Sequence, residues 1–103
     1  MSVTTTRPLR TPSDRHQDLR ARHALARAVV LALRRLDEAH RGDARAQWAR
    51  CRAVEDALRR ALERQPATES DAVPAVRIAC AYLAAGDAEK AFAALLTAHD
   101  KLR

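Results

Sequence analysis

Between residues 72 and 88 the chain runs AVPAVRIACAYLAAGDA. From Ala72 to Ala85 the only charge is Arg77, and the apolar residues Val73, Val76, Ile78, Ala79, Cys80, Tyr82 and Leu83 never alternate with polar ones as in a half-buried strand. A helix this apolar is buried on most of its sides. Its start is marked by Ser70 or Asp71 as a cap, with Pro74 tolerated in the first turn. Its end is marked by Gly86, suited to a left-handed closing position, and Asp87, suited to cap the next helix. That helix is predicted from Ala88 to Leu102, with Ala88, Phe92, Leu95 and Leu102 on one face and Leu96 beside it.

The same stop-and-start pair occurs once more, at Gly42-Asp43. Upstream, Thr11-Pro12-Ser13-Asp14 reads as a helix start, and the helix is predicted to run to about Arg41. Leu25, Val29, Ala32, Leu36 and Ala39 step along one face, widened by Val30 and Leu33. Downstream, a second helix is expected from about Ala44 to Gln65, with the stripe Ala44, Trp48, Cys51, Val54, Leu58 and Leu62. A single helix passing through Gly42 competes with this reading, since an interior glycine costs only about 1 kcal/mol. The turn signal favours the break. Pro66 to Ser70 reads as a linker and residues 1–10 as a disordered basic tail. The predicted architecture is therefore all-α. A single helical domain over residues 11–103 is made of two antiparallel hairpins, 11–65 and 71–103.

The C-terminal hairpin resembles one tetratricopeptide repeat. The likeness covers Ala72 to Arg103, 32 residues against a repeat of about 34. Ala79 and Tyr82 stand at the small and aromatic positions of the first helix, Gly86 at the turn, and Ala91 and Ala98 at the small positions of the second. Ala75 stands where a large residue is common, Leu95 replaces an aromatic, and the closing proline is absent. The first hairpin does not repeat the pattern. The resemblance implies peptide or protein binding on a concave face lined by the first helix of each repeat. By position that face would be Val73, Val76, Cys80, Leu83 and Ala84. Packing of these residues onto the first hairpin is the competing expectation, because exposed apolar patches are uncommon on soluble proteins.

Composition bounds the function. A chain of 103 residues is one domain able to form a core without staples. The core is rich in small side chains: there are 24 alanines but only three aromatics, Trp48, Tyr82 and Phe92. Apolar helix faces exceeding what so short a chain can shield predict self-association. Arginine outnumbers lysine 17 to 2, which with so much alanine also suits a GC-rich genome and weakens a functional reading of each arginine. Cys51 and Cys80 lack zinc or redox spacing and read as small core residues of a protein in a reducing cytoplasm. The longest apolar run, Ala28 to Leu33, falls far short of a membrane span of about 20 residues, and Met1 to Arg10 lack a signal peptide's apolar stretch.

No catalytic, cofactor or metal motif is legible. His16 and His23 are seven apart with no i,i+4 partner, His99 reads as a core-edge residue, and Asp37-Glu38 and Glu55-Asp56 diverge around their helices. Arg41-Gly42-Asp43, which spells an adhesion tripeptide, is read as a helix turn. Charge is uneven: residues 1–64 hold 15 basic and 8 acidic side chains, a net of +7, and residues 65–103 a net of −1. The expected function is a non-catalytic interaction module, an adaptor, regulator or accessory subunit binding another protein or a second copy of itself. The expected contacts are Val73, Val76, Cys80 and Leu83 for an apolar groove, and Arg20, Arg27, Arg34 and Arg35 for an acidic partner. The alternative is a small DNA-associated regulator using the arginine-rich N-terminal half, although no aromatic platform or compact helix-turn-helix accompanies the arginines.

Overall fold

A computed structural model of the chain describes residues 12–38, 43–65 and 71–103. The tail over residues 1–10, the Thr11 cap, Ala39, the turn at Gly42, the Ser70 cap and the Pro66–Ser70 linker lie outside the described residues. Four helices follow one another: α1 (Pro12–Glu38), α2 (Ala44–Glu63), α3 (Ala72–Ala84) and α4 (Ala88–Lys101). No strand occurs among the described residues. The class is all-α, as the composition and periodicity require.

Two of the start signals, Asp43 and Asp87, act where the sequence places them. Asp43 precedes α2 and its carboxylate accepts the Ala46 N–H at 2.7 Å. Asp87 does the same for α4, accepting from Lys90 N–H at 3.0 Å. Each satisfies one of the four backbone donors that a helix start leaves orphaned. Asp71 differs: its backbone is already helical and its side chain makes no cap hydrogen bond. Gly86 closes α3 at φ +76°, the left-handed conformation expected of it.

α1 and α2 pack against each other, so the chain reverses between Glu38 and Asp43 and the single-long-helix alternative does not hold. α2 packs on α3, α3 on α4, and α4 returns to α1. The two hairpins thus close into a ring around one core. Leu25, Val29 and Leu36 enter it from α1, Cys51, Val54 and Leu58 from α2, Val76, Cys80 and Leu83 from α3, and Leu95 from α4. Ala75, Ala79, Ala88, Ala91 and Ala98 are also buried. Small side chains on both helices let α3 and α4 approach closely, and dispersion across that seam replaces the bulk that aromatics would supply.

The helices differ in length, and this positions the surface features. Gln65 Nε2 donates to the Ala21 carbonyl at 2.6 Å, and an Arg22 guanidinium N–H donates to the Lys101 carbonyl at 3.3 Å. The ends of α2 and α4 are therefore tied to the same turn of α1. The backbone of α1 continues past that level to Pro12, about 14 Å further at 1.5 Å per residue. Leu19 and Arg20, on this extension, are exposed.

Candidate docking groove between α1 and α4

The apolar line of α3 does not form an open groove. Val76 and Cys80 are 0% exposed and Leu83 1%, while Val73 is half-buried and packed against the core. The expectation that these four residues line a docking face is corrected by ring closure: α3 lies between α2 and α4, and the face that a repeat would present to a ligand meets the chain's own first hairpin. Ala84, the fifth residue of that face, is exposed. Two members of the predicted α2 stripe also differ. Ala44 is exposed and Trp48 is 53% exposed. Trp48 sits toward the end of the bundle, and no helix among the described residues covers its exposed half. It borders Gly86 instead, and the Arg52 guanidinium lies 5.2 Å from its ring centroid.

The arginine candidates separate into groups. Arg20, Arg27 and Arg34 recur every seven residues and share one exposed line of α1, spaced about 10 Å apart. Arg35 is turned toward α2, where it borders a shallow cleft of about 140 Å³ with Leu31, Ala32, Val54 and Ala57. Arg27 and Arg34 border a larger groove of about 460 Å³ between α1 and α4. Ala26, Val30 and Leu31 supply its α1 wall, and His99, Leu102 and Arg103 its α4 wall. Arg20 lies two helical turns beyond Arg27, outside the groove and on the α1 extension. The structure thus brings Arg27 and Arg34 together at one site and leaves Arg20 and Arg35 outside it.

The groove is apolar inside and cationic at its margins. Leu31 is 54% exposed although it is among the larger apolar side chains of α1. Neither Arg27 nor Arg34 pairs with an acid among the described residues. Arg103 contacts Asp100 at 3.4 Å, a pair with both side chains largely in water and so weak. No side-chain carboxylate, hydroxyl or thiol is among the lining residues. Such a surface offers apolar groups to desolvate within and guanidinium donors for charge-assisted hydrogen bonds at the edge.

Glu55 is buried and accepts from Arg59 Nε at 2.8 Å. Burial raises the Cys51 thiol above its ordinary pKa, with Asp87 adding to the rise. Burial raises Cys80 as well, opposed by Arg59 and assisted by Glu55. Both are free thiols enclosed in the core and kept protonated at neutral pH. Among the described residues no cluster of three His, Cys, Asp or Glu side chains is placed to hold a metal ion. No helix among them is long and apolar enough to cross a membrane.

Val30, Leu31 and the α4 residues His99, Leu102 and Arg103 are not among the contacts expected from the sequence. Periodicity assigns Val30 to the widened core face, and His99 to the core edge of α4. The spacing of these residues carries a partial signal: Leu96, His99 and Arg103 share an edge of α4, as Arg27, Leu31 and Arg34 share one of α1. That these two edges adjoin is a property of the packing alone. No family model, curated protein or solved structure matches the chain.

Proposed function

We propose that the chain is a non-catalytic protein–protein interaction module, an adaptor, regulator or accessory subunit, that engages its partner through the exposed side of α1. The observation that carries this reading is the open α1–α4 groove, where Leu31 stands half in water between two arginines that have no acidic partner among the described residues. An exposed large aliphatic side chain flanked by unpaired guanidinium groups fits the apolar centre and polar rim of an interface. The C-terminal hairpin is read as a tetratricopeptide-like unit that uses its inner face for folding rather than for ligand capture. The two enclosed thiols suit a reducing compartment, and we place the protein in the cytoplasm. Self-association belongs to the same reading, through apolar groups left in water outside the groove: Leu19, Trp48, Ile78 and Leu96.

A second reading, a small DNA-associated regulator, is supported by the alignment of Arg20, Arg27 and Arg34 on one exposed line. One experiment separates the two: retention on heparin and on duplex DNA against salt, for the natural chain and for the Arg27→Gln/Arg34→Gln/Arg35→Gln variant. Under the interaction-module reading duplex retention is weak and gone by about 0.2 M salt, as for non-specific phosphate contacts. Duplex binding that survives that salt and collapses in the variant replaces it with the DNA reading.

A further inference from the structure

We infer that the α1–α4 groove is a receptor for an acidic amphipathic helix presented by a partner protein, a deepening that rests on the interaction-module reading above. The occupant is set by charge and dimensions. Arg27 and Arg34 are two helical turns apart on α1, about 10 Å, with Val30 and Leu31 between them and Leu102 facing from α4. A helix laid along this surface places apolar side chains at i, i+3 or i+4 and i+7 into the groove, and carboxylates on its flanks reach the guanidinium groups. At the α4 margin Arg103 is shared with Asp100, so Arg27 and Arg34 set the sign of the groove. Asp37 and Glu38, which follow Arg34 in α1, and Asp100, which contacts Arg103, leave Arg27 and Arg34 without an ion pair among the described residues.

The other occupants fit less well. The chain's own residues 1–11 carry Arg7 and Arg10 and no acid, so they bring like charge to the groove. A second copy pairing α1 with α1 through this line sets guanidinium groups against guanidinium groups in either orientation, since the line holds Arg20, Arg27 and Arg34 at equal spacing. Like charges so placed cost stability. A partner carrying carboxylates has no such penalty.

The test is selection from a display library of random 16-residue peptides on the natural chain and, in parallel, on Arg27→Gln/Arg34→Gln. Both positions are exposed, and helical circular dichroism checks that the variant folds. The expected result is enrichment of peptides with Leu, Ile, Met or Phe at helical spacing flanked by Asp and Glu, bound at least ten-fold less tightly by the variant. Amide shifts on adding one such peptide are expected at residues 26–34 of α1 and at residues 99–103, the end of α4 and the two residues after it. Enrichment of neutral or basic peptides, equal binding by the variant, or no enrichment overturns the inference. Peptides that bind with shifts confined to another face overturn the groove but leave the interaction module standing. Duplex DNA that shifts the α1 signals at 0.2 M salt, with no peptide enriched, overturns both. A concentration-dependent doubling of mass by light scattering, with the α1–α4 amides shifting without peptide, assigns the groove to a second copy instead.

Discussion

Gly86 shows how one residue without a side chain can hold two constraints. Its φ of +76° lies where an L side chain is strained, by roughly 1–2 kcal/mol. An added Cβ would stand 3.4 Å from Trp48 Cδ1, an ordinary contact, so the backbone rather than crowding sets the cost. Gly86→Ala is expected to lower stability by about 1 kcal/mol, the strain being partly offset by reduced freedom of the unfolded chain. Gly86→Asn, better tolerated in this conformation, loses less. Urea unfolding followed by Trp48 fluorescence measures both, with the midpoint moving and the slope unchanged. The α2 stripe places Trp48 itself on the core-facing side of its helix. It is found at the bundle end, because a helical stripe specifies a direction around the axis but not whether a neighbour reaches that far along it.

At the scale of elements, the contrast between Asp43 and Asp71 separates a cap from its sequence signature. Both precede a helix, yet only Asp43 accepts a backbone N–H. Asp43→Ala is expected to cost about 1 kcal/mol and to raise amide exchange in the first turn of α2, while Asp43→Ser or Asn retains most of the stability. Asp71→Ala is expected to cost clearly less than Asp43→Ala. Equal losses in thermal or urea unfolding would contradict the geometry. Helix length is the second consequence at this scale. α1 spans 27 residues and α4 only 14, so the surface beside α4 ends while α1 continues, and Arg20 is carried away from the groove that Arg27 and Arg34 flank.

For the whole molecule, one closed ring accounts for the fate of both cysteines and of the α3 apolar face. The thiols are raised chiefly by burial, so above the unfolded thiol value of about 8.5 the unfolded chain releases protons that the folded chain retains. The unfolded state is then favoured, and stability falls as pH rises from about 8.5 toward the folded values. Thermal unfolding between pH 7 and 10 is expected to show a melting temperature level to about pH 8.5 and declining beyond it. The Cys51→Ala/Cys80→Ala chain is expected to start lower, from two small cavities, and to decline less steeply. A natural chain with no decline over that range would contradict thiol enclosure.

The sequence by itself determined the helices, the Asp43 and Asp87 starts, the Gly86 stop and the inward residues Leu25, Val29, Leu36, Cys51, Val54, Leu58 and Leu95, because caps and a 3.6-residue period are interactions within a few residues of chain. It also marked Arg27 and Arg34 as surface cations. Only the tertiary structure decided that α4 closes on α1, that Val76, Cys80 and Leu83 serve the core, and that His99, Leu102 and Arg103 stand opposite Arg27 and Arg34. These are relations between segments about 25 (α2 and α3) to about 70 (α1 and α4) residues apart, set by helix lengths and crossing geometry, which no local pattern encodes.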